Sequence, residues 1–526
     1  MDRRADYDTL VVGAGSAGCA LAGRLPGRVL LLEAGPADVP PDLRDAASLA
    51  ATRPGHPRNW AYTAELRPGQ RAVVPRGRGL GGCGATNGAN WVWATPADAR
   101  DWAQPGWSWP DLVAAYRRAE TDLDHPPAHP PTPPLLPAGR QESHHQDVRR
   151  PDGGFPDTGA RGAAGRGGGG EWGRGGAGEW GHGDSGPVPV RRAGGALLHP
   201  ATERFLRAAA ALGFPAEPDK NAGGPPGAGL VPCNAVDGVR VDPATAYLRA
   251  AAGVTVRGDS PVARVLFDGD RARGVELLDG STLEAGEVVL AAGAVGSAQL
   301  LQLSGIGPAD ALRAAGIRVR LDLPVGRDWS DHPAVYLPFV DADPPAHPHA
   351  PGSQVGLDLD CGADPAGDGE VLLFVRPFVA GGPLHLMCAL QAPDSRGTIA
   401  PVSPDPRERP LIRYGYLRTE YDRRRLRHVI RTAAELLRAG LGARVAPGGD
   451  VLGTDRALDG WIAANLTTAV HLSGSAAMGR VLDPELRVLG HSGLRVVDTS
   501  VLPTVPRRGT AATAVAIGER AAQLMS

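Results

Sequence analysis

The chain has 526 residues, a formal net charge of −2 and five cysteines. This length can bury a large core and predicts more than one domain, while the near-zero charge provides no overall field to attract nucleic acid or an anionic membrane. Five cysteines without C-x-x-C spacing argue against a disulfide framework and a cysteine-based zinc site. No uninterrupted apolar segment reaches the ~18–20 residues needed to span a bilayer.

The first segment with a clear pattern opens as a strand, a helix and a second strand. We expect strands at 7–12 and 28–33 and a helix at 16–25, which together begin a βαβ unit. Arg3 and Arg4 ahead of an apolar stretch could imitate an export leader. Acidic residues between the arginines and that stretch, and the spacing of its glycines, favour a cytoplasmic protein instead.

Three glycines follow the first strand in the G-x-G-x-x-G pattern, at Gly13, Gly15 and Gly18. The first allows a tight turn, the second lets the backbone approach a pyrophosphate, and the third lets the helix pack close to the strand. The start of the helix offers unpaired N–H groups to the phosphates. Glu33 ends the second strand, where a ribose-binding acid is expected. The segment predicts a dinucleotide and disfavours NADP, but it does not separate NAD from FAD.

Residues 125–187 have a different composition, first Pro-rich and then a Gly/Arg/Trp repeat with almost no aliphatic side chains. Such a segment cannot bury enough surface to offset its chain entropy, so we predict a disordered insertion. Its sparse aromatic residues disfavour RNA binding. Its histidines fit loop positions better than a metal site, and we therefore expect no metal: His125, His129, His144, His145 and His182.

From about residue 188 the composition is again typical of a globular domain. A meander of strands is predicted at 254–257, 262–267, 274–278 and 287–291, followed by a helix that starts at 299–303. Between 331 and 464 we expect strands with Pro-rich turns and one long helix, Glu420–Ala439. The chain then ends with a strand, Leu494–Asp498, and an amphipathic helix from about Thr510.

Six blocks of sequence resemble the glucose–methanol–choline (GMC) oxidoreductases, in the order that the family has them. They are LLEAGP (31–36), PRGRGLGGCGATNGA (75–89), AAGAVGSAQLLQLSGIGP (291–308), LPVGRDWSDHP (323–333), HLSGSAAMG (471–479) and GLRVVDTSVLPTV (493–505). Three further segments and HLSGSAAMG are similar to the subgroup associated with mycofactocin, a peptide-derived redox cofactor. The three are ETDLDH (120–125), VDGVRVDPATAYL (236–248) and PRRGTAATAVAIGE (506–519).

The resemblance implies an α/β fold with a Rossmann-like FAD-binding domain and a substrate domain whose antiparallel sheet is flanked by helices. We assign 1–95, 188–330 and 468–526 to the discontinuous FAD-binding domain. The substrate domain takes 96–124 and 331–467, and 125–187 is the low-complexity insertion.

The family positions carry over to a set of cofactor-binding residues. Gly13, Gly15, Ser16, Ala17 and Gly18 would hold the FAD diphosphate, and Glu33 with its neighbour Ala34 the adenine ribose region. Gly81, Gly82, Asn87, Gly88 and Ala89 would lie along the ribityl chain and isoalloxazine, and Val262 would pair with the adenine. Asp498, Thr499, Thr510, Ala511 and Ala512 would turn backbone groups towards the flavin. Thr86 stands where some members attach FAD covalently through a His, so FAD is expected to be non-covalent.

His471 is the candidate catalytic base, because it opens a block that matches the family's catalytic histidine. A neutral imidazole suits removal of a hydroxyl proton near pH 7 as hydride leaves the neighbouring carbon. His491 is expected to face solvent, and His332 to lie in a structural turn. Thr510 is expected to cap the last helix, whose dipole would stabilise an anionic reduced flavin.

The second catalytic position of the family, usually His or Asn, is Gly509 here. Either His471 works without that partner or a neighbour replaces it, and Arg508 is the candidate because a permanent cation would favour the reduced flavin anion. The alternative for Arg508 is a surface arginine at the end of a loop.

The resemblance implies oxidation of an alcohol-type CH–OH donor by hydride transfer to flavin N5. The subgroup implies reduced mycofactocin as the donor and a respiratory acceptor, in a cytoplasmic protein that could associate with the inner face of the membrane. The alternatives are a small-alcohol or choline-type oxidase that uses oxygen, a non-catalytic flavin-binding protein, and an NAD-only protein.

Overall fold

The computed structural model describes residues 6–125, 181–362 and 364–526. The strands are β1 (Tyr7–Val12), β2 (Val29–Leu32), β3 (Tyr62–Arg67), β4 (Gln70–Val74), β5 (Glu120–Asp122), β6 (Val188–Val190), β7 (Ala228–Leu230), β8 (Ala235–Val236), β9 (Val239–Arg240), β10 (Val254–Arg257), β11 (Val262–Asp268), β12 (Arg271–Leu277), β13 (Thr282–Leu290), β14 (Arg327–Trp329), β15 (Pro333–Val340), β16 (Ser353–Leu359), β17 (Gly369–Phe374), β18 (Leu384–Leu390), β19 (Gly397–Ala400), β20 (Leu411–Arg413), β21 (Ala443–Arg444), β22 (Thr467–Thr468) and β23 (Leu494–Val496).

The α-helices are α1 (Ser16–Ala22), α2 (Pro96–Trp102), α3 (Trp109–Ala119), α4 (Pro200–Ala211), α5 (Pro243–Leu248), α6 (Gly293–Leu303), α7 (Ala309–Ala314), α8 (Glu420–Leu436), α9 (Gly449–Leu452), α10 (Asp455–Asn465) and α11 (Ala511–Met525). In the described part of the chain, no helix combines the length and apolar character needed to cross a membrane.

A mixed seven-stranded sheet carries the amino-terminal motif. Its order is β10-β2-β1-β13-β12-β11, and β23 pairs with β13. The strands β10, β2, β1, β13 and β23 run parallel to one another, whereas β11, β12 and β13 form an antiparallel meander. All four residues of β2 are buried, as expected for a parallel strand covered on both faces. Helix α1 packs against α11 and α5, which joins the two ends of the chain.

A second seven-stranded sheet, β21-β15-β18-β17-β16-β7 with β22 on β15, is antiparallel throughout. Helix α8 packs on β17 and β18. A five-stranded sheet, β14-β19-β20-β3-β4, combines strands from distant parts of the chain. The fold therefore has the mixed and antiparallel sheets with helices that were expected. The boundaries of the two domains stay a prediction; β3, β7 and β14 each pair with a strand from a segment assigned to the other domain.

Most predicted elements are present, with ends that differ by a few residues in either direction. The strand at 7–12 is confirmed, and the helix at 16–25 ends earlier, at Ala22. The helix predicted to start at 299–303 is wrong in position, because α6 begins at Gly293 and ends at Leu303. The long helix is confirmed from Glu420 and ends as α-helix at Leu436, and the last helix begins at Ala511.

Candidate active site

One cavity of about 750 Å³ collects most of the predicted site residues. Those that line it are Gly13, Gly15, Ser16, Ala17, Glu33, Ala34, Gly82, Asn87, Gly88, Val262, His471, Asp498, Thr499, Arg508, Thr510 and Ala511. The other four predicted residues, Gly18, Gly81, Ala89 and Ala512, lie outside that lining. The carboxyl ends of β1, β2 and β13, the start of α11 and the inner face of the antiparallel sheet meet around the same space.

The turn after β1 is built for close approach of a ligand. Gly13 has φ +109°, and a Cβ there would stand 2.4 Å from the carbonyl oxygen of Ala291. A Cβ on Gly18 would stand 2.0 Å from the carbonyl oxygen of Gly13, so this residue serves packing. At Gly15, by contrast, no atom of the described residues lies within 4 Å of the Cβ position. The start of α1 therefore opens directly onto the cavity, as a pyrophosphate requires.

Glu33 shapes this cradle through its carboxylate. Oε2 accepts a hydrogen bond from the backbone N–H of Ala14 at 3.0 Å, and Oε1 accepts from Gly35 and Gly79, both at 2.9 Å. A carboxylate offers about four acceptor positions, so capacity remains for a ribose hydroxyl. Glu33 thus ties the first glycine turn to the loop that begins at residue 77, in addition to lining the cavity.

The glycine-dense loop packs tightly on the first turn. A Cβ on Gly82 would stand 2.7 Å from the Cα of Gly15. Asn87 Oδ1 accepts from Nη1 of Arg240 at 2.6 Å and from the backbone N–H of Ala89 at 2.9 Å. In the described part of the structure, the Cβ position of Gly88 faces open space. The loop therefore borders the cavity with backbone and small side chains.

His471 is held from two directions. Its backbone N–H donates to Asp331 Oδ1 at 2.7 Å, and the same carboxylate accepts from the N–H of His332 at 2.7 Å and from Oγ1 of Thr468 at 2.6 Å. The two imidazoles contact each other directly, with 2.9 Å between their Nδ1 atoms. The role of His332 goes beyond the structural turn expected for it, because its ring is the hydrogen-bond partner of His471.

The hydrogen bonds assign the tautomer of both rings. His332 Nε2 lies 2.9 Å from the carbonyl oxygen of Pro506, which can only accept, so this nitrogen carries the proton. In a neutral ring His332 Nδ1 is then an acceptor, and His471 must donate through Nδ1. The lone pair of His471 therefore sits on Nε2, which lies 3.7 Å from the Cβ position of Gly509.

Burial keeps both imidazoles neutral. It lowers the pKa of His471 to about 4, with a further contribution from the nearby Arg76 cation. Burial and the neighbouring His471 lower the pKa of His332 well below its ordinary value. Near pH 7 the Nε2 lone pair of His471 is thus free to accept a proton without prior deprotonation.

The start of α11 faces the cavity, but Thr510 does not cap it as expected. Thr510 has φ −89° and ψ −2°, which is already helical, and within the described residues its side chain makes no capping hydrogen bond. The prediction that Thr510 caps the helix is wrong for this reason. Because Thr510 and Ala511 line the cavity, the N–H groups of the first turn remain available to a ligand there.

Asp498 lines the cavity and also makes hydrogen bonds within the protein. Its Oδ2 accepts from the backbone N–H of Gly293 at 2.9 Å and from Oγ of Ser297 at 2.5 Å, and its Oδ1 accepts from the N–H of Ser500 at 2.8 Å. These bonds fix the end of β23 to the start of α6. Burial raises the pKa of Asp498.

Arg508 is buried, with 4% of its side chain exposed, so the surface-arginine alternative is wrong. Its guanidinium lies 3.2 Å from Asp358 and 3.6 Å from Glu217. Lys220 bonds to the same two carboxylates, at 2.7 Å each. Glu370 lines the same wall, and burial together with Asp358 raises its pKa to about 7. We call these five residues the charged cluster.

Two family models, both described as GMC oxidoreductase, match residues 7–334 and 393–518. A relative from Rhodococcus erythropolis, named an uncharacterized GMC-type oxidoreductase, is 34% identical over 99% of both chains. The chain belongs to the GMC oxidoreductase family. An oxygen-dependent choline dehydrogenase of Photobacterium profundum is 30% identical over 98% of this chain and 92% of its own. Pyridoxine 4-oxidase from Mesorbium loti superposes with a TM-score of 0.82, at 26% identity over 98% and 99% of the two chains.

As a GMC oxidoreductase the protein is an FAD enzyme that acts on alcohol-type donors. The cradle fits the cofactor: open space at Gly15 and Gly88 and free N–H groups at the starts of α1 and α11 suit an anionic dinucleotide. Sequence reasoning missed His332 and four members of the charged cluster. The signal that could have found one of them is composition, because Lys220 is the single lysine of the sequence.

Proposed function

We propose that this GMC oxidoreductase oxidises a CH–OH donor with Nε2 of His471 as the general base. The observation that carries the proposal is the His332–His471 hydrogen bond, which puts the proton of His471 on Nδ1 and leaves the lone pair of Nε2 towards Gly509. A donor hydroxyl placed between the base and the start of α11 would give its proton to His471. Bound FAD supplies the acceptor for the hydride that leaves the neighbouring carbon.

We further propose that the parallel part of the mixed sheet is a Rossmann-like domain that holds FAD without a covalent bond. The glycine turn from Gly13 to Gly18 and the start of α1 would bind the diphosphate, and the free acceptor capacity of Glu33 would bind the ribose. The loop from Gly81 to Ala89, with the first turn of α11, would border the flavin. The start of α11 would then stabilise negative charge on the pyrimidine ring.

Arg508 does not act as an uncompensated cation beside the flavin. Asp358 and Glu217 compensate its charge, which weakens the field it exerts on the rest of the cavity. We propose that Arg508 belongs to the substrate side of the cavity, where the charged cluster forms one wall. Because Gly509 has no side chain to assist, the proposal assigns the hydroxyl proton to His471.

Reduced mycofactocin is the proposed donor, and a respiratory component the proposed acceptor. The similarity of four segments to the mycofactocin-associated subgroup supports the donor. Gly509 has no side chain and so leaves room beside His471, which also supports a bulky donor. We propose that this reaction takes place in the cytoplasm, with peripheral contact of the protein to the inner face of the membrane.

A second candidate function is a small-alcohol or choline-type oxidase. The 30% identity to oxygen-dependent choline dehydrogenases favours it, and the aromatic wall of the cavity, with Tyr336, Phe374 and Phe378, could accept a small organic cation. The two candidates differ in which donor bleaches the flavin and in whether oxygen restores its colour.

Anaerobic stopped-flow reduction separates the candidates. Reduced mycofactocin, choline and simple alcohols are mixed in turn with the purified flavoprotein, and the reduced enzyme is then exposed to air or to a dye acceptor. Fast bleaching by reduced mycofactocin with slow reoxidation in air supports the leading proposal. Bleaching by choline or small alcohols followed by fast reoxidation in air supports the oxidase, and no bleaching by any donor supports a non-catalytic flavoprotein.

The base is tested by His471→Ala. Loss of a general base should slow flavin reduction by about 10²- to 10⁴-fold while FAD stays bound. His491→Ala is the matched control, because His491 lies outside the cavity lining and should leave the rate unchanged. An unchanged reduction rate in His471→Ala would remove the proposed base. FAD released by acid denaturation confirms non-covalent binding.

A further inference from the structure

Two histidines that flank residues 126–180 meet beside the end of β5. His182 Nδ1 lies 3.1 Å from Oδ2 of Asp122 and 3.1 Å from Oε1 of Glu120. His125 Nδ1 lies 3.5 Å from Oδ2 of Asp122, and the two imidazole rings stack with centroids 5.0 Å apart. One nitrogen from each ring and one Asp122 oxygen lie within 4.8 Å of one another.

These separations match the edges of a zinc tetrahedron. Zinc binds imidazole nitrogen and carboxylate oxygen at about 2.0–2.2 Å, so two ligands of a tetrahedral ion stand about 3.3–3.6 Å apart. The distances of 3.1 and 3.5 Å from Asp122 to the two rings are close to this value. Glu120 Oε1 lies 3.1 Å from Nδ1 of His182, but the group of ligand atoms within 4.8 Å of one another comprises Asp122, His125 and His182.

Nε2 of His182, the nitrogen that would not bind the metal, has a hydrogen-bond partner of the kind found in known metal sites. His182 Nε2 lies 2.7 Å from Oδ2 of Asp219, and Asp219 Oδ1 in turn accepts from the backbone N–H of Asn221 at 3.0 Å. Metal-bound histidines nearly always donate their second N–H to a carboxylate or carbonyl, which fixes the tautomer. Without a metal, both ring nitrogens of His182 face carboxylates that can only accept, so both carry protons; a bound metal ion would replace the proton on Nδ1 and leave the one on Nε2.

The site has two more negative than positive charges when its histidines are neutral. Glu120 and Asp122 have fully buried side chains, and Asp219 is 16% exposed. Arg192 contacts both aspartates at 2.9 Å and compensates one of the three negative charges. Protonation of both His182 and His125 would supply these two charges, and so would one divalent cation bound to neutral histidines. Two cationic rings stacked 5.0 Å apart repel each other, which favours the divalent cation.

We propose that Asp122, His125 and His182 bind one Zn²⁺ ion. The site would fasten the chain on both sides of residues 126–180 to the layer behind the cavity. Glu120 Oε2 accepts from Nε1 of both Trp91 and Trp93, and these tryptophans follow the loop that borders the flavin side of the cavity. Three protein side chains and one water would complete the tetrahedron of the ion.

Metal analysis of the whole flavoprotein tests the site. The protein is freed of metal with a chelator, equilibrated with one equivalent of ZnCl₂ and desalted, and its zinc is measured by mass spectrometry alongside flavin absorbance. We expect one zinc per chain in the parent protein and a loss of at least tenfold in His182→Ala, with unchanged FAD content. His428→Ala, an exposed histidine of α8, is the control and should keep the parental zinc content.

His125→Ala is the second variant, because His125 is 39% exposed and its removal is less disruptive to folding. It should weaken zinc retention, and cobalt substituted in the parent should show tetrahedral absorption at wavelengths beyond the flavin bands. Zinc at the level of the buffer in the parent overturns the proposal, as does equal zinc in the parent and both variants. A stoichiometric metal other than zinc overturns the choice of ion.

Discussion

The hydrogen bond between His332 and His471 makes a sharp prediction about flavin reduction. His332→Gln places an amide nitrogen near the position of Nε2, so the bond to the Pro506 carbonyl can persist, but the acceptor for His471 Nδ1 is lost. Leaving that buried donor unpaired costs about 1–3 kcal/mol and releases the tautomer that exposes the lone pair of Nε2. Since each 1.36 kcal/mol is tenfold in rate, reduction should slow by about 10- to 100-fold.

His332→Asn is the matched variant, because its amide oxygen stands near the position of Nδ1 and can accept from His471. It should keep most of the parental reduction rate while losing the bond to Pro506. Anaerobic stopped-flow with a saturating donor gives the rate, and flavin absorbance per chain checks that both variants fold. Equal rates in all three proteins, or an Asn variant as slow as the Gln variant, would refute the assignment of the tautomer.

Three further predictions concern the cradle, the charged cluster and the missing partner. Gly13→Ala should abolish FAD binding, measured as flavin absorbance per chain, because φ is +109° and the new methyl would stand 2.4 Å from a carbonyl oxygen. Glu370 has its pKa raised from 4.5 to about 7, so its contribution to stability is present below pH 4.5, falls as pH rises and is lost above pH 7. Glu370→Gln should therefore gain Tm relative to the parent across that window and keep the gain at pH 8, and a constant Tm difference would contradict this. Gly509→Ala should fold and bind FAD, because its methyl would meet His471 at an ordinary 3.7 Å, but it should raise KM more for a bulky donor than for a small one. Equal changes in KM would show that this space is not used.

The parts of the molecule that follow from local sequence were predictable. The strand Tyr7–Val12 and the glycine turn after it are specified by neighbouring residues, because an apolar run and glycine spacing are read within one segment. Helix α6 was misplaced because its start, AAGAVGS, contains glycines that resemble a turn. In the structure, Asp498 accepts from the N–H of Gly293 and so stabilises that start from 205 residues away.

Contacts between distant segments were not predictable in the same way. His332 and His471 are 139 residues apart, and the charged cluster brings together residues from four separate segments. The composition of 125–187 predicted loop histidines, yet His125 and His182 meet at Asp122. The predicted disorder of this insertion concerns residues 126–180 for the most part, which lie outside the described residues. Composition describes the average of a segment, and here the chemistry lies at its ends.

One carboxylate organises the catalytic end of the cavity. Asp331 accepts the backbone N–H groups of both His332 and His471, so the two rings are positioned from a single buried point. Burial raises the pKa of Asp331 to about 6, which means that the carboxylate is ionised near pH 7 and accepts all its hydrogen bonds there. Because Gly509 provides no side chain, the orientation of His471 comes from this arrangement behind it. Under the proposed function, the protein therefore depends strongly on the bonds that Asp331 and His332 make to His471.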